Sequence, residues 1–187
     1  MMGRKPKTAP ESLEIEHALH RKPGYLIRRL QQMAVSIFLE ETERFDITPV
    51  QYATLAAVNV YPGIDQLRVA NAIGFDRTTI SGVIDRLEAK GFLQRLPSKV
   101  DRRAKELLTT PAGRKLLQAI EDSTNRVQAR ILAPLPAAEK KAFLQSLERL
   151  VLFHNSGSRV PVNRDLIPGS EPASSNSAPR KRKPSKR

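Results

Sequence analysis

Five cations crowd one stretch of the chain: Arg95, Lys99, Arg102, Arg103 and Lys105. They come after a segment, Asp76 to Lys90, that carries Arg77, Thr78, Thr79, Ser81, Gly82 and Arg86. Guanidinium and ammonium groups bind phosphate, and Arg also reads the guanine edge. Short hydroxyls reach phosphates and bases, and a Thr methyl matches the methyl of thymine. This is a chemistry of recognition rather than of bond making. No Ser-His-Asp order, phosphate-cradling Gly loop or acid pair in a plausible cleft accompanies it, so an enzyme is not expected.

The elements that must position these groups can be read from periodicity. In Arg77 to Lys90, Ile80, Val83, Ile84 and Leu87 fall at i, i+3, i+4 and i+7, which fixes one face of a helix to a core. The opposite face carries Thr78, Ser81, Gly82, Asp85 and Ala89, with Thr79 and Arg86 on its flanks. Gly inside a helix costs about 1 kcal/mol relative to Ala. Close approach of the backbone to the wall of a major groove would offset that cost; an ordinary solvated helix with one poor residue is the alternative. Phe92–Leu96 and Ala104–Thr109 suit antiparallel strands around the loop Pro97-Ser98-Lys99-Val100-Asp101-Arg102-Arg103. A thin ribbon with Arg at its tip fits a narrow minor groove. Asp101 either holds a neighbouring Arg such as Arg103 in one geometry or serves as a turn residue.

Composition agrees. The chain has 187 residues, a formal net charge of +13 and no Cys. So basic a chain points first to nucleic acid, with mere solubility as the alternative. Absence of Cys removes disulfides and thiolate metal sites. Absence of Trp weakens any case for stacking on single strands. No run approaches the roughly 20 apolar residues that span a bilayer. MMGRKPKTAPES lacks the apolar region of a secretory signal, so a cytoplasmic protein without a membrane partner is expected. His17, His20 and His154 are read as surface residues, and no metal or cofactor is expected.

Further helices flank the basic segment. Leu26, Leu30, Met33 and Ile37 mark one face of a helix from Gly24 to Glu43. Thr48, Pro49 and Gln51 form a capping-box start for a helix ending near Tyr61-Pro62-Gly63. A short helix is expected over Ile64–Ile73, with Ile64, Leu67, Ala70 and Ile73 inward and Gly74 ending it. With the helix capped by Asp76 it makes a helix-turn-helix. Thr110-Pro111 opens a long helix with Leu116, Leu117, Ile120, Val127 and Ile131 apolar. After the break at Leu135-Pro136 a last helix carries Phe143, Leu147, Leu150 and Val151. The expected organisation is a flexible basic N-terminus (1–12), dimerisation and first helices (13–47), a DNA-binding lobe (48–110), returning helices (111–154) and a disordered basic tail (155–187). The tail adds affinity for phosphate or is a solvated linker.

DRTTISGVIDRLEAKGFLQRLPSKVDRRAKELLTTPAGRKLL resembles the MarR family of winged helix-turn-helix regulators. The resemblance covers roughly Tyr25 to His154. It is carried by the reading helix, the D-x-R of the wing (Asp101, Arg103) and the T-x-A-G that opens the next helix (Thr110, Ala112, Gly113). It implies a mainly α protein with a small β-hairpin wing: a winged helix-turn-helix lobe plus a helical dimerisation domain. It also implies a homodimer on double-stranded DNA with a pseudo-palindromic operator, the two reading helices entering successive major grooves about 10 bp apart. Leu135, Phe143, Leu147, Leu150 and Val151, joined by Leu13 and Leu19, would bury against the partner; packing within one monomer is the alternative.

Members of the family typically repress transcription until a small ligand releases them, through a coupling of roughly 1–3 kcal/mol. Here Arg28 and Arg29 could receive a carboxylate or phosphate, and Tyr25 and Met33 could face an aromatic ring. The effector expected on this pattern is an aromatic carboxylic acid or an aromatic acyl-CoA thioester. Otherwise Arg28 and Arg29 are solvated, or pair with acids among Glu40 to Glu43 across the dimer. The rival for the whole chain is a sequence-tolerant architectural DNA binder with no effector, which steep salt dependence without sequence preference would reveal.

Overall fold

The computed structural model describes residues 20–98, 105–158 and 160–162. Leu13 and Leu19, the wing-tip residues Lys99, Asp101, Arg102 and Arg103, and the basic tail from residue 163 on lie outside these. The order is α1 (Pro23–Thr42), a 3-10 turn (Glu43–Phe45), α2 (Pro49–Val60), β1 (Ile64–Asp65), α3 (Gln66–Ile73), α4 (Arg77–Ala89), β2 (Leu93–Pro97), β3 (Lys105–Thr109), α5 (Pro111–Leu132), α6 (Ala137–His154) and a second 3-10 turn (Asn155–Gly157).

Each helix of the lobe starts where a side chain satisfies its first free N–H groups. Thr48 and Gln51 exchange hydrogen bonds at 3.3 and 3.0 Å in the expected capping box. Asp65 caps α3 by accepting from the Arg68 amide at 2.9 Å. Asp76 caps α4 through the Thr79 amide at 2.8 Å. Four helices and a sheet then close on one core. Ile80, Val83, Ile84 and Leu87 of α4 are buried with Leu55 and Val58 of α2, Val69 of α3, Leu93 and Leu107 of the sheet, and Ile120 and Val127 of α5.

The sheet has three strands in the order β1-β3-β2, all antiparallel. This corrects the reading of Ile64 as helical. The Gly63 amide donates to the Leu107 carbonyl at 2.9 Å, and Ile64 pairs with Leu107 in the ladder. Residues 64 and 65 are therefore extended, and α3 starts only after Asp65 caps it. The shifted start turns the helix: Val69 and Ala70 face the core, while Leu67 is 52% exposed. Of the four residues expected inward, Ile64 and Ala70 are buried, Ile73 is half-buried and Leu67 points out.

α1 also differs from the periodic reading. Its buried residues are Phe38 and Thr42, whereas Leu26, Leu30 and Met33 are exposed. α6 buries no residue fully, and its Leu150, Val151, Leu152 and Phe153 face outward, Phe153 with 78% of its surface free. Between α1, α5 and α6 runs an apolar groove of about 290 Å³, walled by Ile27, Leu30, Ile131, Phe143, Leu144 and Leu147.

α1 and α5 are also tied by charge. Glu41 accepts from Arg126 at 2.8 Å and from Arg130 at 2.9 Å, and Glu40 accepts from Arg130 at 2.8 Å. Hydrogen bonds from Arg126 and then Arg130 hold the Glu41 carboxyl below its ordinary value, and the Thr79 hydroxyl and amide do the same for Asp76. A carboxylate with a lowered folded-state pKa contributes stability above its unfolded value and loses it as pH falls through the lowered one. The melting midpoint is therefore expected to be level from about pH 7 to 5 and to fall below about pH 4. In thermal melts across that range, Glu41→Gln should flatten part of the fall.

Candidate nucleic-acid interface

With one face of α4 sealed in the core, its other face is presented outward by the same packing. Arg77, Thr78, Thr79, Asp85 and Arg86 are exposed, and Ser81 and Gly82 are half-buried. The Thr79 hydroxyl donates to Asp76 Oδ2 at 2.6 Å, so its proton belongs to the helix cap; its lone pairs and methyl remain for a partner. The first turn of α4 is capped by the Asp76 carboxylate, so its contribution to a phosphate comes from the side chains of Arg77 and Thr78 rather than from free amides.

Gly82 has no tight neighbour: a Cβ built there would meet only the Arg86 guanidinium, at 3.8 Å. Nothing in the chain's own packing requires glycine at this position. Gly82→Ala is expected to raise folding stability by up to about 1 kcal/mol, from helix propensity. It should weaken DNA binding if the helix backbone approaches the groove wall. Denaturant melts and operator titrations would show the two effects moving in opposite directions.

The wing stands beside this helix in a fixed geometry. β2 and β3 pair from Leu93 with Thr109 out to Pro97 with Lys105, and Lys105 is exposed at the end of the ladder. Ser98 begins the connecting loop, half-buried. The sequence groups Arg95 with the DNA-facing cations, but the structure gives it another task. Its guanidinium bridges Asp85 and Glu88 of α4, and its amide donates to Glu88 Oε1 at 3.2 Å. The side chain is 18% exposed, and the two carboxylates raise its pKa against the lowering effect of burial. Arg95 therefore clamps the wing to the reading helix. Asp85, placed by the wheel on the outward face, is neutralised there. The i, i+3 spacing of Asp85 and Glu88 is a usable signal, but the partner strand cannot be read from it.

The T-x-A-G segment explains how α5 locks to the lobe. The Thr110 hydroxyl donates to the Gly91 carbonyl at 2.7 Å and accepts from the Gly113 amide at 3.0 Å; the Thr110 amide donates to the Phe92 carbonyl at 3.0 Å. A second tie, with no signal in the sequence, joins the far end of α4 to α1. Lys90 Nζ contacts Asp46 Oδ2 at 2.6 Å and also the Asp46 carbonyl oxygen. Asp46 holds a left-handed conformation (φ 47°) at the joint between α1 and α2.

The four effector-site candidates share the N-terminal half of α1. Tyr25 is half-buried, its ring 4.8 Å from that of His20, with the Arg28 guanidinium 5.3 Å from its centroid. Arg28 and Arg29 both donate to Gln32 Oε1, at 3.3 and 3.1 Å. Met33 is exposed. Among the described residues of the single chain neither Arg meets a carboxylate, and Glu41 and Glu40 pair with Arg126 and Arg130. From Tyr25 to Thr42 is about 25 Å of helix, so this cluster stands well away from the α1–α2 joint of its own chain.

Residues 47–105 match the MarR family model. The PcaV transcriptional regulator of Streptomyces coelicolor is 32% identical, with a TM-score of 0.63 over 72% of this chain and 98% of that one. The chain belongs to the MarR family. Such proteins regulate transcription by binding DNA and are not enzymes. Two further solved structures are similar to the chain. CouR, a transcriptional repressor solved on a 23-mer DNA duplex, is 28% identical, with a TM-score of 0.67 over 71% of this chain and 94% of that one. BpsR of Bordetella bronchiseptica, whose DNA binding is regulated by 6-hydroxynicotinic acid, is 27% identical, with a TM-score of 0.67 over 70% and 94%. Among the described residues of this MarR chain, no helix is long and apolar enough to cross a membrane.

Proposed function

We propose that this regulator is a cytoplasmic homodimeric repressor that covers a pseudo-palindromic operator and is released by a small aromatic carboxylic acid. The observation that carries the DNA half is the paired geometry of α4 and the wing. The exposed face of α4 and the ribbon beside it are held together by Arg95, so a major-groove and a minor-groove reader move as one piece. Arg77, Thr78, Thr79, Ser81, Gly82 and Arg86 would contact the major groove; Ser98, Lys99, Arg102, Arg103 and Lys105 would lie along the wing, with Asp101 fixing an arginine. Arg103→Ala is expected to weaken operator binding by roughly 1–3 kcal/mol. Fluorescence anisotropy measures this, and unchanged affinity would refute the wing assignment.

The dimer reading is supported by the exposed apolar faces of α1 and α6, which a single chain leaves uncovered. Leu30, Phe143 and Leu147 in the groove between them would bury against a partner. The effector reading is supported by Tyr25, Arg28, Arg29 and Met33, which combine two donors for a carboxylate with an aromatic face, and by the aromatic acid to which BpsR responds. An acyl-CoA thioester is the comparison ligand.

The test is binding to the DNA upstream of the protein's own gene against a scrambled duplex, at about 0.15 M salt, the range where non-specific phosphate binding is weak. Aromatic acids and aryl thioesters are then added. Selective binding that an aromatic acid weakens supports the proposal. Equal binding to both duplexes would replace it with the architectural reading, and selective binding indifferent to every ligand would remove the effector.

A further inference from the structure

After α6 the chain turns through Asn155–Gly157 and comes back to the winged lobe. Two polar side chains shape this return. Asn155 pairs with both backbone groups of Val162: its Nδ2 donates to the Val162 carbonyl at 2.9 Å, and the Val162 amide donates to its Oδ1 at 2.8 Å. The Ser158 hydroxyl donates to the Val160 carbonyl at 3.2 Å and accepts from the Val160 amide at 3.3 Å. Val160 and Val162 are both half-buried. Held in this way, the Val162 side chain lies against Gly74: a Cβ built there would stand 3.1 Å from Val162 Cγ2.

Gly74 is the turn of the helix-turn-helix. It ends α3 in the left-handed conformation (φ 71°), and its amide and that of Phe75 both donate to the Ala70 carbonyl. Asp76, two residues on, caps α4. These bonds, and the one from Gln66 Nε2 to the Arg77 carbonyl at 3.3 Å, stay inside the lobe. Val162 reaches the turn from the segment after α6. α4 has 13 residues and is about 20 Å long. Its far end meets the Arg95 bridge and the Lys90 contact with Asp46. Its near end follows the turn, and in a helix-turn-helix the N-terminal residues of the reading helix contact the base edges. A rod is aimed only when both ends are placed, and a reading surface has to be placed to within about 0.5 Å.

We propose that Val162, gripped by Asn155, is a positioning residue for DNA reading: it seats the helix-turn-helix turn against the segment that follows α6, and so sets the approach of α4 to the major groove. This rests on the DNA-binding reading above. The effect passes through Gly74 to α4, with no contact to DNA required of Val162 or Asn155. Base contacts depend on the angle of the reading helix, whereas the phosphate contacts that carry non-specific binding tolerate a change in it. Loss of the contact therefore costs selectivity before it costs general affinity or stability.

The experiment titrates the DNA upstream of the protein's own gene, and a scrambled duplex, with full-length proteins: the unaltered chain, Val162→Ala, Asn155→Ala, Val162→Ile and the double Ala variant. Melting curves and hydrogen exchange at the Gly74 and Phe75 amides are measured on the same proteins. Val162→Ala and Asn155→Ala should each weaken operator binding by about three- to tenfold and leave the scrambled duplex unchanged. Their melting midpoints should stay within about 2 °C of the original, while the two turn amides exchange faster. Val162→Ile keeps Cγ2 and should bind as the unaltered chain does. The double variant should be no weaker than the weaker single one, because both residues act through one contact. Val162→Ala leaves the backbone pairing with Asn155 in place, so it decides the matter even where Asn155→Ala folds poorly. Unchanged operator affinity in Val162→Ala, or a loss shared equally by both duplexes, overturns the proposal. Unchanged affinity in Asn155→Ala overturns the grip. Failure of the underlying reading looks different: the unaltered chain itself would not prefer the upstream duplex to the scrambled one.

Discussion

Gly113→Ala is expected to destabilise the fold by about 3 kcal/mol or more, the upper range for an overpacked site. The new Cβ would fall onto the Phe92 carbonyl oxygen and lie 2.9 Å from Thr109 Cγ2. Neither neighbour can yield cheaply. The Phe92 carbonyl already accepts from the Thr110 amide, and Thr109 is buried in β3. Relief would require moving the start of α5 away from the turn after α4, which breaks the Thr110 hydroxyl contacts with Gly91 and Gly113. The melting curve should shift well below that of the unaltered chain, whereas Gly82→Ala should shift it upward. A melting midpoint for Gly113→Ala within a degree of the original would show that the turn has slack the geometry does not suggest. The T-x-A-G signature is thus a joint where a helix meets a turn backbone to backbone.

Arg95→Ala should cost both stability and DNA binding. On the stability side it removes two charge-assisted contacts from a mostly buried guanidinium, discounted because Asp85 and Glu88 face solvent; about 1–2 kcal/mol is expected. The binding loss should be at least as large. Asp85 and Glu88 would stand unneutralised beside the surface offered to phosphate, and the ribbon would lose its fixed angle to α4. An operator affinity lower by about 2 kcal/mol, roughly thirtyfold, is expected in anisotropy titrations. Adding Asp85→Asn and Glu88→Gln should recover part of the affinity and none of the stability. If the triple variant binds no better than Arg95→Ala alone, charge repulsion is not the cause.

Much of the lobe can be read from the chain because local chemistry and global packing agree there. Thr48, Gln51, Asp76 and Thr110 each sit where a helix needs a cap, and the apolar spacing of α4 admits one buried face. The strand at Ile64–Asp65 escapes because two residues carry no period; only the Leu107 carbonyl across the sheet makes them extended. The same limit hides the roles of Arg95, Lys90 and Asp46. Their partners lie 7, 10 and 44 positions away on other elements, and a repeat within one helix or strand says nothing about contacts between elements. The exposed apolar faces of α1 and α6 mark another boundary. A stripe in a sequence says that burial is required, and not whether the same chain provides it.

The Lys90–Asp46 contact joins the end of one helix to the bend that follows another, 44 positions earlier in the chain. Lys90 ends the reading helix, and Asp46 is the pivot on which α1 meets the lobe. One ammonium engages both the carboxylate and the carbonyl of Asp46, and because the Asp46 side chain is exposed the tie is worth about as much as a surface ion pair, up to about 1 kcal/mol. At that bend Asp46 holds a left-handed backbone conformation, and its carbonyl and carboxylate both face the one amine.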